Sequence, residues 1–340
     1  MTKKITMQDI ADQLNISKNS VSQALTGKAG VSEKTRSLVE ATARELGYEY
    51  LPARKNYQYN TDSKNVKIAL IASDYAFSLK SFFGEIYLSI EKEIASQNNS
   101  LMIQSINQAA IQSLELPAFI LNGSVDGVLI LSHLNTEYIQ KIISTGIPAV
   151  LVDHHHPHIK ADAVLTNNRF GAFLAVEHLV QLGHREIGFI GNISISPSYY
   201  ERLEGYHLAL NHYGIKHNEA LLLSDIEEDE DGVRKAMHQL PKQPTAWFCV
   251  NDGLGFLVSS YLVHAGYKIP EQISVSNFDN GQLSKLATPK ITTMDIDLEL
   301  FGKRAVEQLM WRISNKDTAN QEILLPTTLL VRESTGPAPN

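Results

Sequence analysis

With 340 residues, 43% of them apolar, the chain can bury large cores and exceeds one ordinary domain, so two or three domains are expected. The formal charge of −7 at pH 7 hides an uneven layout: residues 1–60 carry nine Lys+Arg and six Asp+Glu, whereas the other 280 carry 21 and 31. The lone cysteine, Cys249, excludes an internally disulfide-stapled scaffold, the opening Met-Thr-Lys-Lys-Ile-Thr lacks a signal-peptide core, and no run reaches the roughly eighteen apolar residues of a membrane span. A reducing, cytoplasmic setting without membrane attachment is expected.

The basic balance sits on a compact pattern. Ile10, Ala11 and Leu14 repeat at i, i+1, i+4, and Val21, Ala24 and Leu25 make a second stripe, so two short helices pack across the Asn15-Ile16 turn. Ser17 stands where its hydroxyl caps the second helix, leaving Lys18, Asn19, Ser22 and Gln23 outside, side chains suited to groove edges and phosphates. A third helix is expected from a Ser32 cap through Leu38, Val39, Ala41, Ala43 and Leu46 to a stop at Gly47. Such a bundle can serve only to pack or dimerise. A basic module on an acidic body, with a polar recognition face, favours a DNA-reading head.

From Lys64 onward, short apolar runs alternate with amphipathic segments. The runs are 66–72, 101–106, 128–131 and 149–152, then 187–190, 221–223, 246–250 and 273–278; helical segments are expected at 84–96, 169–182, 202–212, 232–240 and 254–265. Two sets of about four strands imply an α/β body of two doubly wound parallel sheets. Ligands of such sheets sit beyond the carboxyl ends of the strands, where this chain has Asp74, Ser132, His133, Asp153, Asn192, Asn251, Asp252, Asp279 and Asn280. Amides, carboxylates and hydroxyls in that number suit a ligand whose hydroxyls both donate and accept, a sugar above all, although any one of them can simply cap the next helix.

With both parts in view, the chain resembles the lactose/galactose repressor family over essentially its whole length. The blocks that carry the likeness are Val21-Ser22-Gln23-Ala24-Leu25-Thr26-Gly27, Val31-Ser32-Glu33-Lys34-Thr35-Arg36, Leu46-Gly47-Tyr48, Glu177-His178-Leu179, Leu182-Gly183-His184-Arg185, Arg202-Leu203-Glu204-Gly205-Tyr206, Asn251-Asp252, Ile269 to Val275 and Phe278-Asp279-Asn280. The resemblance implies a three-helix helix-turn-helix head on residues 1–50, a hinge or linker on 51–65, and a periplasmic-binding-protein-like body on 66–340. The body's lobes are expected at about 66–163 plus 295–321 and 164–294 plus 322–340. It also implies a homodimer on a near-palindromic DNA operator, most simply a repressor, with a small effector between the lobes altering its grip and no cofactor or metal.

Carried over by position, Lys18, Asn19 and Gln23 would face bases, with Ser17, Ser20, Ser22 and Lys28 near phosphates. Most relatives resemble Thr-Val-Ser-Arg where this chain has Ser20-Val21-Ser22-Gln23. Arg prefers the guanine edge and Gln the adenine edge, so the base read here should differ. In the hinge, where relatives have Asn, Ala and Leu at three-residue spacing, this chain has Leu51, Arg54 and Tyr57. Tyr57 can unstack a base step and Arg54 can enter a narrow minor groove; equally, 58–64 can be a plain polar linker. For the effector, Asp74, Phe83, Arg202, Asn251 and Asp279 are implied, and Ser132 joins them as a strand-end hydroxyl. An aromatic platform common in relatives is replaced near Asp225 by Ile226. A nucleobase, a phosphometabolite or a protein corepressor stands behind a sugar as the trigger.

Three features carry less. His154-His155-His156-Pro157-His158 lacks the helical spacing and partner carboxylate of a rigid metal site. The acidic run 225–231 reads as a solvated turn and helix start. A sugar-modifying enzyme is the rival class, but there is no Gly-x-Gly-x-x-Gly opening a helix after the first strand, no Walker loop and no evident His partner for Cys249.

Overall fold

A computed structural model describes residues 5–25, 30–46, 65–74, 76, 82–131 and 134–339. Of the residues singled out above, Thr26, Gly27, Lys28, Gly47, Tyr48, Leu51, Arg54, Tyr57, Ser132 and His133 lie outside the described residues, as does the stretch 51–64.

In the head, α1 (Met7–Leu14), α2 (Lys18–Leu25) and α3 (Glu33–Glu45) form as expected. Thr6 and Asp9 make a reciprocal capping box on α1, and Asn15 ends it in the left-handed conformation. Ser17 Oγ accepts the backbone N–H of Ser20 at 3.0 Å, and Ser32 Oγ that of Thr35 at 3.1 Å, so both expected caps are made. The closed core holds Ile10, Ala11, Val21, Ala24, Val39 and Ala43. On α3 the expected set needs correction. Leu38 is 54% exposed and Ala41 is exposed, whereas Thr42 is buried beside Ala43. The buried positions 39, 42 and 43, with half-buried Leu46, follow i, i+3, i+4, i+7, a stripe too narrow for all five apolar residues. Arg36 Nη1 donates to Ala24 O at 2.8 Å, placing positive charge at the carboxyl end of α2.

The body contains two six-stranded sheets. The first takes β1 (Lys67–Ser73), β2 (Ser100–Ile106), β3 (Gly127–Leu131), β4 (Ala149–Val152), β5 (Asp162–Thr166) and β11 (Glu322–Leu325), in the order β11-β5-β4-β3-β1-β2, all parallel. The second takes β6 (Ile187–Ile190), β7 (Leu222–Leu223), β8 (Ala246–Cys249), β9 (Ser274–Phe278), β10 (Thr292–Ile296) and β12 (Thr327–Leu330), in the order β12-β10-β9-β8-β6-β7, with only β12 antiparallel. Helices on the first lobe include α4 (Phe83–Ser96), α5 (Gln108–Ser113), α6 (Thr136–Ser144) and α12 (Leu298–Ser314); the second lobe has α7 (Asn168–Gln181), α8 (Pro197–His212), α9 (Glu230–His238), α10 (Asp252–His264) and α11 (Gln282–Leu286). Continuous apolar strands such as Ile68–Ala72 and Val128–Leu131 are buried on both faces, each large side chain contributing about 1.5–3 kcal/mol.

The lobe boundaries differ from those expected. β5 and β11 pair in parallel in the first sheet, Ala163 opposite Glu322 and Thr166 opposite Leu325, so 164–166 and 322–325 belong to the first lobe, while β10 keeps 295–296 in the second. The chain crosses between lobes at Asn167, Asp297 and Pro326. Two of these are helix caps: Asn167 Oδ1 accepts from Phe170 N, and Asp297 Oδ1 accepts from Leu300 N at 2.8 Å. Gly205 lets α8 lie directly on α7, since a Cβ there would come within 2.1 Å of Arg169 O.

Candidate functional site

Short parallel strands deliver polar residues to one edge of each sheet, and three of them hold unusual backbones. Asp153 after β4, and Asp279 and Asn280 after β9, have φ of +54°, +88° and +49°. Non-glycine residues are seldom left-handed, and such strain is kept where surrounding structure fixes it and function uses it.

Arg202 is the centre of the second lobe's edge. It is only 2% exposed; Nε donates to Asn168 Oδ1 at 2.9 Å, Nη1 to Val250 O at 2.7 Å, and Nη2 lies 2.9 Å from Asp279 Oδ1. Its guanidinium stacks 3.9 Å from the Phe278 ring centroid. The resemblance implies that Arg202 offers its fork of donors to an effector. Instead the fork ties α7, the end of β8 and the end of β9 together. Asp279 Oδ1 is buried against Arg202 in an ion pair, and the side chain as a whole keeps 15% of its surface exposed. Burial pushes the Asp279 carboxyl up, against the pull of the Arg202 charge.

Asn251 caps α10 through Oδ1 on Leu254 N at 2.8 Å, and its Nδ2 donates to Tyr199 Oη at 2.7 Å and to Glu228 Oε2 at 2.8 Å. Glu228 Oε1 also accepts from Asn192 N at 3.1 Å. Burial drives the Glu228 carboxyl up, and the Tyr199 hydroxyl well up. Asp252 is the bland case. It caps α11, accepting from Leu283 N at 3.0 Å and Ser284 N at 2.8 Å, while the Ser284 hydroxyl also donates to it. Asn280 is likewise committed, to Asp295 and Arg332.

The first lobe's edge opens a cavity of about 650 Å³ lined by Ser73, Asp74, Gln108, Asn135, His154 and, from the second lobe, Ile195, among others. Asp74 is exposed there and accepts a hydrogen bond from the Ser105 hydroxyl. Phe83 opens α4 but is 4% exposed within the hydrophobic core. Asp153 spans the lobes: its Oδ1 accepts from Ser198 Oγ at 3.3 Å. Burial pushes its carboxyl up to about 7; Arg202 pulls it down, and Asp279 and Glu201 push it further up. The structure thus brings Arg202, Asn251 and Asp279 together with Asp153, puts Asp74 on the cavity wall and sets Phe83 into the core.

Sequence reasoning missed Ser198, Tyr199 and Glu201 because it began the helix at 202. The available signal was Ser196-Pro197, a cap followed by proline in the first turn; it starts α8 at 197 and places 198, 201 and 202 at i, i+3, i+4 on one face. In the head, Ser17, Lys18 and Asn19 are exposed, whereas Ser20, Ser22 and Gln23 are half-buried. The Gln23 carboxamide lies against Gly30, where a Cβ would come within 2.9 Å of its Oε1.

Residues 6–50 match the description "Bacterial regulatory proteins, lacI family", and residues 176–335 match "Periplasmic binding protein-like domain". The HTH-type transcriptional repressor CytR of Escherichia coli (strain K12) is 30% identical over 98% of this chain and 97% of its own. The chain belongs to the lacI family of bacterial regulatory proteins. Among solved structures, the complex of the transcriptional regulator CelR with cellobiose is 25% identical, covers 97% of this chain and 99% of its own, and superposes with a TM-score of 0.72. A lacI-family regulator from Enterococcus faecium with bound ribose is 27% identical, covers 80% and 99%, and superposes at 0.68. This lacI-family member is therefore a transcriptional regulator rather than an enzyme: α1 to α3 are its DNA-binding helix-turn-helix and the two sheets its periplasmic-binding-protein-like part. Among the described residues, no helix is long and apolar enough to cross a membrane.

Proposed function

We propose that the chain is a repressor that binds a near-palindromic operator as a homodimer and is controlled by a neutral sugar in the cleft between its lobes. The observation that carries this reading is the pairing of a lacI head with strand-end carboxylates and amides at one cleft edge, supported by two similar solved structures that hold cellobiose and ribose. Asp279 would accept from adjacent hydroxyls, and Asp74 would do so from the opposite lobe, while Arg202 would act by fixing Asp279 and Asn168. A phosphometabolite is disfavoured because Asp74, Asp153, Glu228 and Asp279 outnumber the guanidinium, whose donors are turned to protein. Dimerisation is supported by exposed apolar side chains at the lobe margins, Leu88 on α4, Met102 and Ile103 on β2, and Leu283 and Leu286 on α11.

On DNA, Lys18, Asn19 and Gln23 would read base edges and Ser17, Ser20, Ser22 and Lys28 would meet phosphates, with Arg54 and Tyr57 in or near the minor groove. Gln23→Arg is expected to exchange an adenine preference for a guanine preference at one half-site position, a discrimination of about 1–3 kcal/mol. Half-site selection with both proteins tests this, and the same consensus from each would refute it.

A further inference from the structure

We propose that His155 and Glu201 form a proton-linked latch between the two lobes, holding them together when His155 carries its proton and releasing them when it is lost. His155 follows β4 in the first lobe; Glu201 lies on α8 in the second. His155 Nε2 stands 3.1 Å from Glu201 Oε1, with both side chains largely shielded from solvent. Two residues earlier on one strand end and three earlier on one helix, Asp153 and Ser198 make the parallel contact at 3.3 Å. Two polar bridges of matching register therefore join one loop to one helix face, apart from the covalent crossings at 167, 297 and 326.

Glu201 is held for this task from its own lobe. Asn168 Nδ2 donates to its Oε2 at 3.0 Å, and the Arg169 charge lies near. Burial raises the Glu201 carboxyl, but His155 and Asn168 more than offset that, and it stays below the ordinary range. His155 faces Glu201 from α8, Glu322 from β11 and Asp153 from its own segment, all acidic. Its hydrogen bond to Glu201 lifts the imidazole above its ordinary value against the opposing effect of burial. Asp153, facing Arg202, Asp279, Ser198 and Glu201, is lifted to about 7 chiefly by burial.

Both groups hold protons more tightly with the lobes together than in water, so closure takes up protons. The Asp153 contribution fades as pH rises from the ordinary carboxylate value towards 7, and the His155 contribution fades as pH rises through its elevated value. Closure is favoured on the acid side and opening on the alkaline side.

The test uses the full-length protein with dyes at Glu137→Cys in the first lobe and Lys216→Cys in the second, both exposed positions, diluted with excess unlabelled chain. Transfer efficiency is followed from about pH 5.5 to 8.5, around the ordinary imidazole value. The latch predicts that efficiency changes with a midpoint above 6.5, that Glu201→Gln shifts that midpoint down, and that His155→Gln leaves only the change that ends where Asp153 titrates, near 7. A flat profile in the parent protein, or a midpoint unchanged by Glu201→Gln, overturns the proposal. Should His155→Gln fail to fold, Glu201→Gln decides alone.

Discussion

Among the described residues each lobe buries one arginine–aspartate pair, and the two are built to different standards. In the first lobe Asp162 is fully buried; it accepts from Arg312 Nε at 2.9 Å and Nη2 at 2.6 Å, from Gln308 Nε2 at 2.6 Å and from Gln321 N at 2.9 Å. Arg312 spends its remaining donors on carbonyls, including Thr318 O and Ala319 O, both at 2.9 Å. In the second lobe Arg202 meets Asp279 at 2.9 Å with poor alignment, and the aspartate sits on a left-handed backbone at the cleft edge. A saturated pair at the amino ends of the strands, away from the cleft edge, ties α12 to β5 and β11. The looser pair at the strand ends leaves the Asp279 side chain 15% exposed at the cleft edge, as the proposed ligand contact needs.

The sharpest way to break that contrast is to remove each arginine. Arg312→Ala strands a fully buried carboxylate and is expected to destabilise the protein by about 3–5 kcal/mol in chemical denaturation. Arg202→Ala should cost less, about 1–3 kcal/mol, because the Asp279 carboxyl is already raised and can take a proton, and operator binding should survive while effector response is lost. Equal destabilisation by the two, or loss of operator binding with Arg202, would make both pairs structural.

Asp153 sharpens the comparison through pH. Its raised carboxyl means that the native state binds more protons than the unfolded one, so stability falls as pH rises from the ordinary carboxylate value to about 7. Asp153→Asn should therefore be more stable than the parent at pH 8, by about 1–2 kcal/mol, and should keep little of that advantage near pH 4. Thermal melts at the two pH values check it; a constant difference would remove the titration from the account.

Much of this was legible in the sequence, and the exceptions have physical causes. The head's stripes and serine caps fall where the 3.6-residue period puts them, and the expected apolar runs correspond to β1 to β4 and β6 to β9. β10, with its Thr292-Thr293-Met294-Asp295 pattern, gave no continuous apolar signal, the edge strands β11 and β12 offer only the short runs 323–325 and 329–331, and β5 opens on an aspartate explained by its contacts with Arg312, Gln308 and Gln321. Their sheet membership depends on crossings between lobes, which local pattern does not encode. Arg202 was legible as important, but not as buried, because its partners Asn168, Val250 and Asp279 are 34 to 77 positions away in the chain.

The most direct test of the central claim is fluorescence anisotropy of the protein on operator candidates from its own promoter region, repeated with mono- and oligosaccharides including ribose and cellobiose. The account predicts tight, salt-sensitive binding that at least one neutral sugar shifts about tenfold, roughly 1.4 kcal/mol of coupling. Tight operator binding indifferent to every sugar, but shifted by a phosphorylated metabolite, would contradict it.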